Sequence, residues 1–154
     1  EDSFLMLEAL AELNLRGSKI LDVGAGSGIL SAYCAKRGAD VTASDTDVVA
    51  IQALSRLADR LGIRIELIAC DLFSKIEGQF DIVIFNPPYL PSRKMHDRTV
   101  NGGKDGTSVI ERFLNQVTRN LVQNGFAVLL VGSLNEPERL KNRYPHLDFK
   151  AIRE

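Results

Sequence analysis

The stretch "LDVGAGSG", residues 21–28, indicates the fold of this 154-residue chain. A short apolar run passes through an aspartate, and three glycines then follow at alternate positions before a helical pattern begins. Glycine accepts backbone conformations with positive φ and lets a ligand approach the main chain closely. The stretch is therefore typical of the first strand–turn–helix unit of an α/β protein whose ligand lies against the turn.

Outward from this turn, strand and helix patterns alternate along the chain. Apolar runs of strand length are separated by segments of helical spacing, an order that predicts βαβ units and a mostly parallel sheet. The strands are predicted at 19–24, 40–45, 63–70, 80–85, 126–132 and 147–152, and the helices at 3–13, 29–38, 47–62, 107–125 and 136–144. Near-continuous apolar strands fit a sheet with helices on both faces. The sequence therefore predicts a doubly wound α/β fold, formed by a single domain over residues 1–154.

The composition excludes few functions, but it bears on possible partners and on the cellular compartment. The net charge of −1 argues weakly against a nucleic-acid partner, because polynucleotides attract basic surfaces. Cys34 and Cys70 lie in apolar stretches and indicate reduced thiols of a cytoplasmic protein, while a metal site would need more ligands at close spacing. No apolar run approaches the roughly 20 residues that span a bilayer, so no membrane role is predicted. The chain begins at "EDSF" without methionine, and we expect N-terminal residues to be missing.

Four polar residues fall where predicted strands end: Asp22, Asp45, Asp71 and Asn86. In doubly wound sheets the ligand binds beyond the carboxyl ends of the strands, so these side chains should meet one ligand. A carboxylate just before the glycine turn would repel a dinucleotide pyrophosphate, whereas S-adenosylmethionine carries a sulfonium and an ammonium group. Ile29 also departs from the dinucleotide pattern, which argues against a nicotinamide-dependent oxidoreductase. The predicted cofactor is S-adenosylmethionine.

Each strand-end residue suits one part of this cofactor. Gly24 and Gly26 would let it approach the backbone, and Asp45 would accept hydrogen bonds from both ribose hydroxyls. The Asp71 side chain or the Leu72 amide would meet the edge of the adenine. Each aspartate alone fits a solvated turn or a helix cap equally well. Their common position at strand ends favours the cofactor.

A second stretch, "FNPPYLP" at residues 85–91, indicates the chemistry. Proline has no N–H and holds the preceding residue extended, so Asn86, Pro87 and Pro88 present acceptors without matching donors. The Asn86 side-chain oxygen and the Pro87 carbonyl would accept the two hydrogens of a planar NH₂ group, against which Tyr89 would pack. Both hydrogen bonds would stabilise charge that develops on the nitrogen during methyl transfer. We therefore predict Asn86, Pro87 and Tyr89 as catalytic and all four residues 86–89 as substrate-binding; the alternative is a proline turn that only ends a strand.

Together, "LDVGAGSG", "SD", "CDLF" and "FNPPYLP" resemble the class I, Rossmann-like, adenosylmethionine-dependent N-methyltransferases. The opening "EDSFLMLEAL" and the later "NGGKDGTSVIERFL" are similar to a narrower group, the HemK-type protein-glutamine methyltransferases of the archaeal and eukaryotic branch. The resemblance implies methylation of the glutamine in the GGQ motif of a peptide-chain release factor. It also implies a small zinc-binding activator subunit as a partner, and a final antiparallel strand that would be missing after "AIRE".

The resemblance assigns the cofactor contacts residue by residue. It implies that Ser3 contacts the carboxylate end of the cofactor, Asp22 and Gly24 its methionine portion, Asp45 the ribose, Asp71 the adenine, and Asn86 both the cofactor and the target amide. Because the NPPY loop is shared with other enzymes, an RNA or DNA amino-methyltransferase stays open as an alternative. So does a non-catalytic subunit that binds S-adenosylmethionine.

Overall fold

The computed structural model of the chain describes residues 2–87 and 107–152. Its helices are α1 Asp2–Ala11, α2 Ile29–Lys36, α3 Val48–Leu61, α4 Thr107–Leu114 and α5 Pro137–Arg143, with 3₁₀ turns at Val117–Asn120 and Ser133–Asn135. Its strands are β1 Lys19–Val23, β2 Asp40–Asp45, β3 Glu66–Ala69, β4 Phe80–Phe85 and β5 Leu121–Leu129. In this part of the chain the strands form one sheet in the order β3-β2-β1-β4-β5.

All the pairings in this sheet are parallel, as the sequence predicted. The strand order reverses between β1 and β4, which lie side by side at the centre, with Val23 paired to Phe85. The crevice at such a reversal is where doubly wound proteins bind ligands. The glycine turn after β1 and the asparagine after β4 therefore enter the same crevice.

Both faces of the sheet are covered by helices. On one face, Ile20 of β1 packs with side chains of α1 and α2, among them Leu10 and Leu30. On the other face, Val23 packs in a cluster with Phe113 of α4 and with residues of α5. This alternation along β1 confirms the doubly wound arrangement, in which a central strand is apolar on both sides.

Local sequence signals account for α3. The side chain of Asp47 accepts a hydrogen bond from the Val49 amide at 2.8 Å and so caps the first turn. Gly62 ends the helix with φ 62, a conformation that glycine adopts without a Cβ penalty. None of the described helices is both long and apolar enough to cross a membrane.

The prediction of one helix over 107–125 is wrong. Helix α4 ends at Leu114, a 3₁₀ turn follows, and β5 begins at Leu121. The apolar spacing of the helix runs on through the 3₁₀ turn, so periodicity alone does not mark where the helix ends. The predicted stop at Asn124 and Gly125 is instead a bulge within β5, because Phe80 pairs with Leu121 and the ladder resumes only at Phe126.

The predicted strand at 147–152 is also wrong, since these residues have no strand pairing in the described part of the chain. Leu147 and Phe149 instead pack their side chains against the core beside α4 and α5. Alternating apolar residues satisfy such packing as well as they satisfy a sheet. A strand also needs a hydrogen-bonding neighbour, which the sequence pattern does not supply.

Candidate active site

A cavity of about 350 Å³ opens at the carboxyl ends of β1 and β4. Several residues singled out in the sequence line it: Ser3, Asp22, Gly24, Gly26, Asn86 and Pro87. They come from α1, from the end of β1 and its turn, and from the segment after β4. The structure therefore brings together six side chains or backbone segments that lie up to 84 positions apart in the chain.

The glycine turn is shaped by close packing behind the cavity. Gly28 has φ 74, and a Cβ at this position would lie 2.2 Å from Cδ1 of Leu54 in α3. Glycine at this position lets α2 begin directly against α3. Gly24 and Gly26 also have positive φ and face the cavity.

Asp22 is a buried acid at the base of the cavity, with 1% of its surface exposed. Its Oδ2 accepts a hydrogen bond of 2.5 Å from the Ser31 hydroxyl in α2. Burial raises the pKa of Asp22 to about 6, and the nearby charge of Asp45 adds to this rise, while hydrogen bonds from the Ser31 side chain and backbone lower the pKa. At neutral pH the cavity therefore holds a buried negative charge, which suits a cationic ligand.

Asp45 joins the glycine turn to the start of α3. One carboxylate oxygen accepts from the Gly26 amide at 2.8 Å and the other from the Asp47 amide at 2.8 Å. Asp45 lies behind the turn and outside the lining of the cavity. A carboxylate has roughly four acceptor sites, so two hydrogen bonds to the backbone leave capacity for a sugar hydroxyl.

Asp71 and Leu72 are not among the residues that line this cavity, and their predicted contact with the adenine stays a prediction. Asp71 follows β3 by two residues, is half-exposed, and forms an ion pair with Arg112 of α4. Leu72 is buried and has φ 45, which is unusual for a residue with a side chain. Arg112 was not predictable from the sequence, because a basic residue on the polar face of an amphipathic helix carries no signal of a partner 41 positions away.

Asn86 and Pro87 follow β4 directly. Asn86 is half-buried and Pro87 is buried. The Leu130 amide donates to the Phe85 carbonyl at 3.1 Å, so the backbone entering this segment is held by the neighbouring strand. Pro88 and Tyr89 lie outside the described residues, and their predicted roles stay predictions.

The cavity is acidic rather than basic. Asp2 in the first turn of α1 lines it together with Asp22. Within 2–87 and 107–152, no group of three or more histidine, cysteine or acidic residues is arranged to hold a metal ion. Acids at a strand-end turn fit a ligand that carries positive charge and lacks phosphate, as the sequence predicted for S-adenosylmethionine.

Comparison with protein families finds one model, the methyltransferase small domain, that matches residues 1–148. A Methanocaldococcus jannaschii protein named as an N5-glutamine methyltransferase is 32% identical over 158 residues, which cover 98% of this chain and 79% of that protein. Mouse methyltransferase HEMK2 is 31% identical and is covered over 73% of its length. The chain spans about half of the release factor glutamine methyltransferase of Koribacter versatilis, at 35% identity and 54% of its length.

Enzymes that act on ribosomal RNA are similar over a smaller share of their length. The ribosomal RNA small subunit methyltransferase C of Chromohalobacter salexigens is 32% identical over 76% of this chain and 32% of its own. Among solved structures, a T. thermophilus 16S rRNA methyltransferase in complex with AdoMet and guanosine superposes with TM-score 0.75 at 26% identity, over 92% of this chain and 37% of that one. A ribosomal protein L11 methylase from Lactobacillus delbrueckii superposes with TM-score 0.73 at 21% identity, over 99% of this chain and 74% of that one, and shares the fold.

Proposed function

This chain belongs to the methyltransferase small-domain family, and on that premise we propose that it methylates the side-chain amide nitrogen of the GGQ glutamine in a peptide-chain release factor. It is an S-adenosylmethionine-dependent N-methyltransferase with the class I Rossmann-like fold. The observation that carries the glutamine substrate is that relatives named as glutamine methyltransferases align over most of the chain. The position of Asn86 and Pro87 beside the same cavity as Asp22 agrees with it.

Different residues would bind different parts of S-adenosylmethionine. Asp22 would accept a hydrogen bond from the cofactor's ammonium group, and Ser3 in α1 would contact its carboxylate end. Asp45 would accept from the ribose hydroxyls while it holds the Gly26 amide. Asp71, together with the Leu72 amide, would lie towards the adenine, beyond the described cavity. When bound, S-adenosylmethionine supplies a methyl group on a sulfonium, which is the electrophile of the reaction.

Asn86 and Pro87 would orient the substrate. An amide nitrogen is a weak nucleophile because its lone pair is delocalised into the carbonyl. Two acceptors, the Asn86 side-chain oxygen and the Pro87 carbonyl, would hold both amide hydrogens and point the nitrogen at the methyl group. Their hydrogen bonds strengthen as positive charge gathers on the nitrogen, so they stabilise the transition state more than the ground state.

Replacing Asp45 with alanine should weaken cofactor binding by about 1–3 kcal/mol, the range for hydrogen bonds to a charged group. The loss combines the ribose contacts with the hydrogen bond that holds Gly26 in place. Calorimetric titration with S-adenosylmethionine measures it. Asp47→Ala is the matched control, because it removes the cap of α3 and leaves the Gly26 contact; equal affinities for Asp45→Ala and wild type would contradict the assignment.

A second candidate is methylation of an exocyclic amino group in ribosomal RNA. It is favoured by the relatives that act on small-subunit RNA, and the same two acceptors would hold a planar amino group of a base. The net charge of −1 argues against it, since RNA binding depends on basic surfaces.

One experiment separates the two substrates. The protein is incubated with methyl-labelled S-adenosylmethionine and either a release factor or small-subunit RNA, and mass spectrometry examines the GGQ peptide and the nucleosides. We expect one added methyl on the glutamine. Label in RNA alone would replace the proposal with the second candidate. The zinc-binding activator stays a prediction, and adding such a subunit to the same reaction tests it.

A further inference from the structure

Ser31 is a fully buried polar residue in the first turn of α2, an otherwise apolar part of the helix. Its exposed fraction is 1%, and its hydroxyl donates to Oδ2 of Asp22 at 2.5 Å. Asp22 lies on β1, so this hydrogen bond connects the helix and the strand that flank the glycine turn. Ser31 is absent from the lining of the cavity, so it would act on a ligand only through Asp22.

We propose that Ser31 is a positioning residue for the cofactor: its hydroxyl fixes the orientation of the Asp22 carboxylate and holds that carboxylate in the ionised form that binds a cation. The inference rests on the proposed role of Asp22 in binding S-adenosylmethionine. Oδ2 accepts from the serine hydroxyl and the Ser31 backbone also donates to the carboxylate, which leaves about two of its roughly four acceptor sites for the cofactor.

The ionised form needs such a donor, because burial works against it. Burial raises the pKa of Asp22 to about 6 even with the hydrogen bonds from Ser31 in place. The other titratable groups around Asp22 do not offset burial. Asp45 on β2 raises the pKa further, Cys34 on α2 stays neutral with its own pKa raised to about 12, and Asp2 on α1 adds another acid to the cavity.

A purely structural role for Ser31 makes a different prediction. A serine in a helix can fill a small space, and alanine is the better helix former. If space-filling were the whole role, Ser31→Ala would change the melting temperature and leave the titration of Asp22 where it was. The pH at which Asp22 titrates therefore separates the two roles.

The test measures the titration of Asp22 itself and the pH dependence of cofactor affinity. The carboxyl ¹³C shift of Asp22 is titrated by NMR in the free protein, and calorimetry measures S-adenosylmethionine affinity from pH 5.5 to 8. In Ser31→Ala we expect the midpoint of Asp22 to rise by about one pH unit. Affinity should then fall about threefold at pH 6.5 and about eightfold at pH 5.5, but little at pH 8. Ser31→Thr keeps the hydroxyl and should restore the wild-type profile.

Ser44→Ala is the matched control. Ser44 is as buried as Ser31 and also neighbours a strand-end acid, but within the described residues its hydroxyl has no hydrogen-bond partner. Its removal should move neither profile. An unchanged Asp22 midpoint in Ser31→Ala would overturn the inference, whether or not the variant melts earlier. Wild-type affinity in Asp22→Asn would instead remove the premise, by showing that Asp22 does not bind the cofactor.

Discussion

Alanine in place of Asn86 should lower kcat for methyl transfer by roughly 10²–10³-fold, the effect of removing one preorganised hydrogen-bonding group from an active site. The side chain of Asn86 supplies one of two acceptors for the target NH₂ group. The hydrogen bond is stronger when positive charge gathers on the nitrogen, so its loss should fall on kcat more than on KM. Single-turnover kinetics with the methylated product as readout measure the change.

The fold should survive this substitution. Asn86 is half-buried and follows the last residue of β4, whose backbone is held by the Leu130 amide independently of the asparagine side chain. Asn86→Asp is the informative companion, because it keeps size and acceptor geometry and adds a charge. Aspartate should retain more activity than alanine if acceptance alone matters. Wild-type turnover in Asn86→Ala, with normal melting, would show that the segment only ends a strand.

Asparagine in place of Asp22 should make the protein more stable at neutral pH and weaken cofactor binding by about 10- to 100-fold. The pKa of Asp22 rises from 3.8 to about 6 on folding, which corresponds to about 3 kcal/mol of destabilisation once the group is ionised. Asparagine carries no charge and keeps an acceptor for the Ser31 hydroxyl. Its amide NH₂ needs a new partner, so we expect a net gain of roughly 1–3 kcal/mol.

The gain in stability of Asp22→Asn should depend on pH. A carboxyl whose pKa is raised by folding binds protons more readily in the folded state, so the wild type loses stability as pH rises from about 4 to about 6. The gain from asparagine should be small at pH 4 and complete above about pH 7. Urea denaturation at several pH values measures it, with Asp40→Asn at the exposed start of β2 as control. A gain of the same size at every pH would contradict this origin.

The parts of the fold that follow local patterns were predictable from sequence. Strands β2 and β4 have the predicted bounds, and the cap and stop of α3 follow from Asp47 and Gly62. The helix predicted over 107–125 failed because Leu121 continues the helical spacing of α4 into β5. Only the pairing of Leu121 with Phe80, 41 positions earlier, decides the conformation there.

The candidate site likewise contains residues that could be predicted from the sequence and residues that could not. Asp22 and Asn86 follow from strand ends, because parallel strands deliver their carboxyl ends to one edge. The side-chain partners of Asp22 and Asp71 were not predictable. Ser31 and Arg112 contact Asp22 and Asp71 through side chains that meet only after helices pack on the sheet, and no periodicity marks such pairs.

Because Gly28 lies so close to Leu54, we expect substitutions at these two positions to depend on each other. A side chain at 28 would need space now filled by a fully buried leucine, as well as a strained backbone. A side chain at 28 therefore needs a smaller residue at 54 and still strains the backbone, so substitutions at 28 should be rare and should appear together with a change at 54. Gly24, whose added Cβ would meet Phe85 at an ordinary 3.6 Å, has no such steric link to α3, but its φ of 64 would still strain the backbone of any residue with a side chain.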